Sequence, residues 1–170
     1  MSKVYFTSDW HFGHKTILKY RDFKSIEEHN RTFIDNFNKT VKKRDTVFFL
    51  GDIVFTEKDL ELLKELRYCK KVLYLGNHDT LDVLKYREYF DEVHALRSYK
   101  NFWLSHCPIH PSELRRRIGC IHGHLHRTIL KCDEQDRYFD VSPEKHNYEL
   151  VDFEDIKKYF EDKEQRTKDK

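Results

Sequence analysis

Glycine and proline are scarce, at 5 and 3 of 170 residues. That excludes collagen-like repeats and the Pro/Gly-rich chains that stay low-complexity and unfolded. An excess of one charge sign is also missing: 32 Lys and Arg stand against 30 Asp and Glu. No bulk field therefore draws the chain to nucleic acid or an anionic membrane, and any such binding must come from a local patch. No apolar run approaches the ~20 residues of a membrane-spanning helix. The opening segment MSKVYFTSDW has no apolar stretch of signal-peptide length. Cysteine is limited to residues 69, 107, 120 and 132, with no C-x-x-C pair. These features predict a cytoplasmic protein with reduced thiols and no membrane partner. Phe (13) and Tyr (10) are plentiful, which argues against disorder, and the 11 histidines are the informative excess. The length suits one domain burying about 70% of its unfolded surface.

Short, nearly continuous apolar runs recur at 4–7, 46–50, 71–75, 101–104 and 119–121, the pattern of strands buried on both faces. Between the first three lie helical stretches. Ser25 with Glu28 forms a capping-box signature, followed by Ile26, Phe33, Phe37 and Val41 on one face. Thr56 with Asp59 opens a second helix with a Leu60, Leu63, Leu66 stripe, and 81–90 is a weaker helix. Residues 92–104 predict two strands around 98–100. Further edge strands are expected at 137–141 and 148–153, and a short helix at 154–160. The pattern predicts an α/β (α+β) sandwich within a single domain over 1–160, with a polar, disordered tail over 161–170.

Each of five apolar runs leads into residues that bind hard or borderline metal ions. VYFT leads to Asp9 and His11, TVFFL to Asp52, and KVLYL to Asn77, His78 and Asp79. NFWL leads to His106, and Cys120-Ile121 to His124 and His126. Ligands of open α/β sheets sit beyond the carboxyl ends of strands, so five ends on one edge of a sheet would bring these groups together. The pairs Asp9/His11 and His124/His126 are two apart, and on extended backbone such pairs share a side. A mixed N/O donor set suits Zn, Fe, Ni, Mn or Mg. Seven donors exceed one tetrahedral site and suit two metals about 3.5–4 Å apart, bridged by a carboxylate.

These blocks, D-x-H, G-D, G-N-H-D, H and G-H-x-H, stand complete and in order over residues 4–126. They resemble the calcineurin-like metallophosphoesterase superfamily. S-D-W-H-F-G-H, R-D-T-V-F-F-L-G-D, S-H-C-P and His146-Asn147-Tyr148 narrow the resemblance to its small bacterial and phage-borne members. Thr16, Asp22 and Leu150 depart from that subgroup, none at a ligand position. The resemblance implies a two-sheet β-sandwich flanked by helices. It implies one metal held by Asp9, His11, Asp52 and His126, and a second by Asp52, Asn77, His106 and His124. Manganese is the first expectation, with Fe, Zn, Ni or Mg as other candidates. A metal-bridging hydroxide would attack phosphorus in line, His78 would assist the leaving group, and Asp79 would orient His78.

The expected activity is phosphate-ester hydrolysis, with phosphodiesters slightly favoured and a nucleotide-like substrate as one form. The alternatives are a metal-dependent nuclease, a phosphomonoesterase and, behind these, a non-catalytic scaffold on the same fold, like the retromer subunit that resembles these enzymes. His14 is a candidate substrate contact. Arg21 is a candidate phosphate clamp, with an exposed salt-bridge partner as its other and safer reading. Arg115-Arg116-Arg117 reads as a solvated face that would favour polynucleotides only if it edged the cleft. Cys107 and Cys120 read as packing residues and His122 as a neighbour of the ligands. His29, His94 and His146 carry no signal. So short a chain leaves an open site, to which a homo-oligomer could add walls.

Overall fold

A computed structural model describes residues 1–168. Its strands are β1 (Val4–Thr7), β2 (Thr46–Phe49), β3 (Lys70–Tyr74), β4 (Glu92–His94), β5 (Arg97–Tyr99), β6 (Phe102–Leu104), β7 (Gly119–His122), β8 (Tyr138–Asp140) and β9 (Val151–Asp152). Its α-helices are α1 (Ile26–Thr40), α2 (Val83–Arg87) and α3 (Phe153–Lys168). Among the described residues the strands form two sheets, ordered β4-β3-β2-β1-β9 and β5-β6-β7-β8. The first is parallel from β4 to β1 and closed by antiparallel β9. In the second, β6, β7 and β8 run parallel and β5 antiparallel.

The apolar strings divide by the two-residue period of a strand. Tyr5, Val47, Phe49 and Leu73 face a core shared with Phe33, Ile34 and Phe37 of α1 and Tyr86 of α2. Their neighbours Phe6, Phe48, Val72 and Tyr74 face Phe102, Leu104 and Ile121 of the second sheet and Phe153, Ile156 and Phe160 of α3. The first sheet is thus buried on both sides, which is why its strands read as continuous apolar runs.

Local signals act where expected at α1: Ser25 accepts from Glu28 N at 3.1 Å, and Glu28 accepts from Lys24 N at 2.6 Å. Three expectations are corrected. Residues 57–65 form a 3-10 helix. The three-residue spacing of Leu60, Leu63 and Leu66 is the period of that tighter helix, whose i and i+3 side chains eclipse. Residues 92–104 hold three strands rather than two. The predicted polar tail is helical through Lys168 as part of α3, and only 169–170 lie outside the described residues. No Gly or Pro interrupts EDKEQRTK, whose Glu, Lys, Gln and Arg are good helix formers.

Phe49 is fully buried, with ring centroids 5.1 Å from Trp10, 6.0 Å from Phe37 and 5.3 Å from Phe90. Phe49→Ala is expected to cost about 3–5 kcal/mol in urea unfolding. A loss under about 1 kcal/mol would mean that this ring does not anchor the layer beneath the loop to Asp52.

Candidate metal centre

The five ligand-bearing loops leave the C-terminal ends of β1, β2 and β3 in one sheet and of β6 and β7 in the other. The site therefore lies across the ends of two stacked sheets, not along one edge. Nor is the backbone extended there. Asp9, His11, Asp52, His124 and His126 all have positive φ, between 51° and 71°. The loops after β1 and β2 continue side by side, with Asp9 N donating to Gly51 O (2.8 Å), His11 N to Asp52 O (2.9 Å) and Phe12 N to Ile53 O (2.9 Å). Gly51, at φ 86°, permits this crossing: a Cβ there would sit 2.6 Å from His106 Nδ1 and 2.7 Å from Gly76 Cα.

On one side of the centre, His11 Nε2 and His126 Nε2 face each other at 3.4 Å. Asp9 Oδ1 lies 3.9 Å from the first and 3.7 Å from the second. On the other side, His106 Nε2 lies 3.1 Å from His124 Nδ1, 3.0 Å from Asn77 Oδ1 and 3.3 Å from Asp52 Oδ2. Asp52 Oδ2 is also 4.0 Å from His11 Nε2, so this carboxylate stands between the two groups. All seven sequence-predicted donors converge. Asp9 Oδ1 and His11 Nδ1 are buried without a hydrogen-bond partner. A buried carboxylate oxygen left bare and aimed at imidazole nitrogens fits a divalent cation, and the N/O donor set suits a hard or borderline one.

Neighbouring groups fix how the donors present themselves. His106 Nδ1–H donates to Leu50 O at 2.7 Å and His126 Nδ1–H to Glu144 Oε1 at 2.8 Å, leaving both Nε2 lone pairs turned inward. Asp9 Oδ2 accepts from His124 N at 2.9 Å, which leaves Oδ1 free. Burial, reinforced by the Arg21 charge, holds His11 neutral with its pKa lowered to about 2. Burial also opposes charge on His106, but the hydrogen bond it donates to the Asp52 carboxylate and the charges of Asp9 and Asp52 outweigh it and carry its pKa to about 9.

Two role assignments change. Asp79 does not touch the His78 ring. Its Oδ2 accepts from Asp52 N (2.6 Å) and Gly76 N (2.8 Å), and its Oδ1 from Ile53 N (3.1 Å). It therefore pins the Asp52 loop to the Asn77 loop. His78 is exposed, and its imidazole stacks on Phe55 at 4.8 Å. His14 stacks on Phe55 at 3.8 Å, and with His78 it lines the open side of the site.

Arg21 is not a phosphate clamp. Its side chain is fully buried and its donors are occupied: Nε by Glu144 (2.8 Å), Nη2 by Asp9 O (2.7 Å), and Nη1 by His29 Nε2 (2.9 Å) and Trp10 O (3.4 Å). No face remains for a ligand. His29, which carried no sequence signal, belongs to this buried network. Arg115-Arg116-Arg117 does not edge the cleft either. Arg117 lies over Trp103 at 4.9 Å and Ile118 N bonds Asn101 O, which places the run at the N-terminal ends of β6 and β7, opposite the ligands.

Sequence reasoning missed Glu144, Ser142 and Phe55. Glu144 is one acidic residue among 30, and its only marker is its place just before His146-Asn147-Tyr148. Ser142 Oγ accepts from His126 N at 3.1 Å and donates to Asp140 Oδ1 at 2.5 Å. Cys107, expected to pack, is exposed, and its Sγ lies within 4.8 Å of donor atoms of His106 and His124.

Residues 2–170 match the family model for calcineurin-like phosphoesterases. The chain is a member of the calcineurin-like phosphoesterase family. It is 36% identical over 170 residues to an uncharacterised protein of Methanocaldococcus jannaschii, covering 95% of this chain and 93% of that one. It is 33% identical over 165 residues to the gene 66 protein of Mycobacterium phage D29, covering 77% of this chain and 82% of that protein. The solved structure of a protein of unknown function from Aquifex aeolicus superposes with a TM-score of 0.76 at 26% identity, covering 93% of this chain and 99% of that one. The phosphoesterase fold is thus that of two sheets flanked by helices, with His/Asp groups placed to hold divalent metal. No described helix is long and apolar enough to cross a membrane.

Two outcomes are expected. Glu144→Gln leaves Arg21 buried without its counter-charge, costing about 3–5 kcal/mol of stability. It also lowers metal affinity about 10–100-fold, because His126 loses its orienting carboxylate. Urea unfolding and calorimetric titration with Mn²⁺ check the two effects, and wild-type affinity in the folded variant would remove Glu144 from the site. Metal loading is also pH-dependent: an ion must displace the proton that His106 holds up to about pH 9. Affinity therefore rises with pH up to that point, with proton uptake by the buffer. A flat profile between about pH 6 and 9 would show that metal binding displaces no proton from His106.

Proposed function

We propose that this phosphoesterase hydrolyses phosphate esters, phosphodiesters in preference to monoesters, with two divalent cations in the cluster around Asp52. The observation that carries this reading is the convergence of seven N/O donors on either side of Asp52 Oδ2, together with a buried Asp9 Oδ1 that has no hydrogen-bond partner. Asp9, His11, Asp52 and His126 would hold one ion, and Asp52, Asn77, His106 and His124 the other. When bound, the ions supply Lewis acidity at phosphoryl oxygens and acidify an attacking water.

The remaining work falls to the chain. His78 is exposed beside His11, with ring centroids 5.8 Å apart, and is free to protonate a departing oxygen. Its backbone N–H donates to Asp52 Oδ1 at 2.8 Å, which ties its position to the shared carboxylate. Phe55 holds the His78 ring by stacking, with centroids 4.8 Å apart. A cavity opening beside His11 and His126 gives room for a second ester substituent, which a monoester lacks. This supports the diester preference.

The test is a metal-stripped sample reloaded with Mn²⁺, Zn²⁺, Ni²⁺, Fe²⁺ or Mg²⁺ and assayed on paired mono- and diesters. Turnover is expected to return with metal, Mn²⁺ foremost, and a sample inert with every ion would leave the scaffold reading standing. His78→Ala is expected to keep its metal and lose about 10²–10⁴-fold on alkyl diesters, but far less on 4-nitrophenyl esters, whose leaving group needs no proton. Equal losses on both would exclude proton transfer by His78. Asp52→Asn is expected to weaken both ions together, and loss of one ion alone would refute the shared carboxylate.

A further inference from the structure

Beside the metal cluster opens a cavity of about 460 Å³, within the ~300–1,000 Å³ of small-molecule sites. Its inner wall includes His78 and His126. Its outer wall is built from Ile17, Lys19 and Tyr20, around the 3-10 helix Lys15–Lys19, and from Arg127, next to the ligand His126. Lys19 and Arg127 are both exposed, and neither forms an ion pair among the described residues. That contrasts with Arg21 and Lys145 nearby, which are paired to Glu144 and Asp140.

Two exposed cations without an ion pair give this rim of the cavity a positive charge that suits an anionic group of a substrate. A scissile phosphate held at the donors would leave this rim without a counter-charge. Arg127 offers a planar fork and Lys19 a point charge, a pairing suited to a phosphate. Tyr20, 66% exposed, adds an aromatic face on the same wall.

We infer that this cavity receives the part of the substrate beyond the scissile phosphate, and that this part is a nucleoside-like ring bearing a second phosphate held by Lys19 and Arg127. The inference rests on the phosphoesterase reading and narrows its substrate class to small nucleotides with two phosphate groups.

Two measurements on the metal-loaded protein test it. In calorimetry, thymidine 3′,5′-bisphosphate is expected to bind at least about tenfold more tightly than thymidine 5′-phosphate, with the ratio falling to about one in Lys19→Ala/Arg127→Ala. In turnover, the 4-nitrophenyl ester of thymidine 5′-phosphate is compared with the same diester carrying a 3′-phosphate. The second is expected to have the higher kcat/KM, through KM, and to lose that advantage in the double variant. Equal affinities in the wild type overturn the inference, as does a ratio that survives the double substitution. Hydrolysis of both esters at equal kcat/KM removes the second-phosphate site and leaves the phosphoesterase reading intact. If neither ester is cleaved with any metal, the phosphoesterase reading falls while the binding ratio still decides the site. An oligonucleotide that binds more tightly than the bisphosphate, with affinity falling steeply with salt, would assign the two cations to a polynucleotide backbone and overturn the small-substrate form.

Discussion

Left-handed backbone at the ligand positions is the constraint on which the site depends. Five of the donors sit on residues with positive φ, and none of the five is glycine. Each such residue costs about 1–3 kcal/mol, a strain that persists only where the surroundings over-determine it. Here they do. Trp10 and Phe12, which alternate with Asp9 and His11, are buried at 1% and 0% exposure, so core packing holds the strained turn from beneath. The parallel hydrogen bonds that extend past β1 and β2 hold it from the side. Burial of Trp10 and Phe12, favourable by about 1.5–3 kcal/mol each, offsets the strain at Asp9 and His11.

The centre is also assembled from charges and hydrogen bonds that only make sense together. Asp79 ties two loops by accepting three backbone N–H groups, and in doing so frees Asp52 to turn its Oδ2 toward two groups of histidines. Without metal, the raised pKa of His106 means that a proton occupies part of the place intended for an ion. Carboxylates this deeply buried must be neutralised by something, and protons and cations compete for that role.

Much of this was legible in the sequence. Short apolar runs marked the strands because both faces of the first sheet are covered, and metal-binding residues at five run ends marked the site because the parallel strands of two stacked sheets deliver their loops to one end. What was not legible depended on long-range packing. Nothing local distinguishes a buried Arg21 from a surface arginine, since its partners Glu144, His29 and Asp9 are scattered over the chain. The same holds in part for Asp79, whose place in G-N-H-D suggests its neighbour His78 while its contacts lie with Gly76 and, across the fold, with Asp52 and Ile53. The two-apart spacing of Asp9/His11 pointed to a shared side for the wrong reason: left-handed turns, not an extended segment, bring them together. The helical end of α3 was missed because EDKEQRTK contains no apolar residue, and helix propensity alone leaves no amphipathic stripe to read.

The Arg21–Glu144 pair joins an early turn to a late one across 123 positions. Two distant parts of the chain therefore meet at one ligand: a cut before residue 144 would leave Asp9, His11 and His126 in place while removing both the carboxylate that aligns His126 and the counter-charge of Arg21. The late turn belongs to the centre although it offers no donor to an ion.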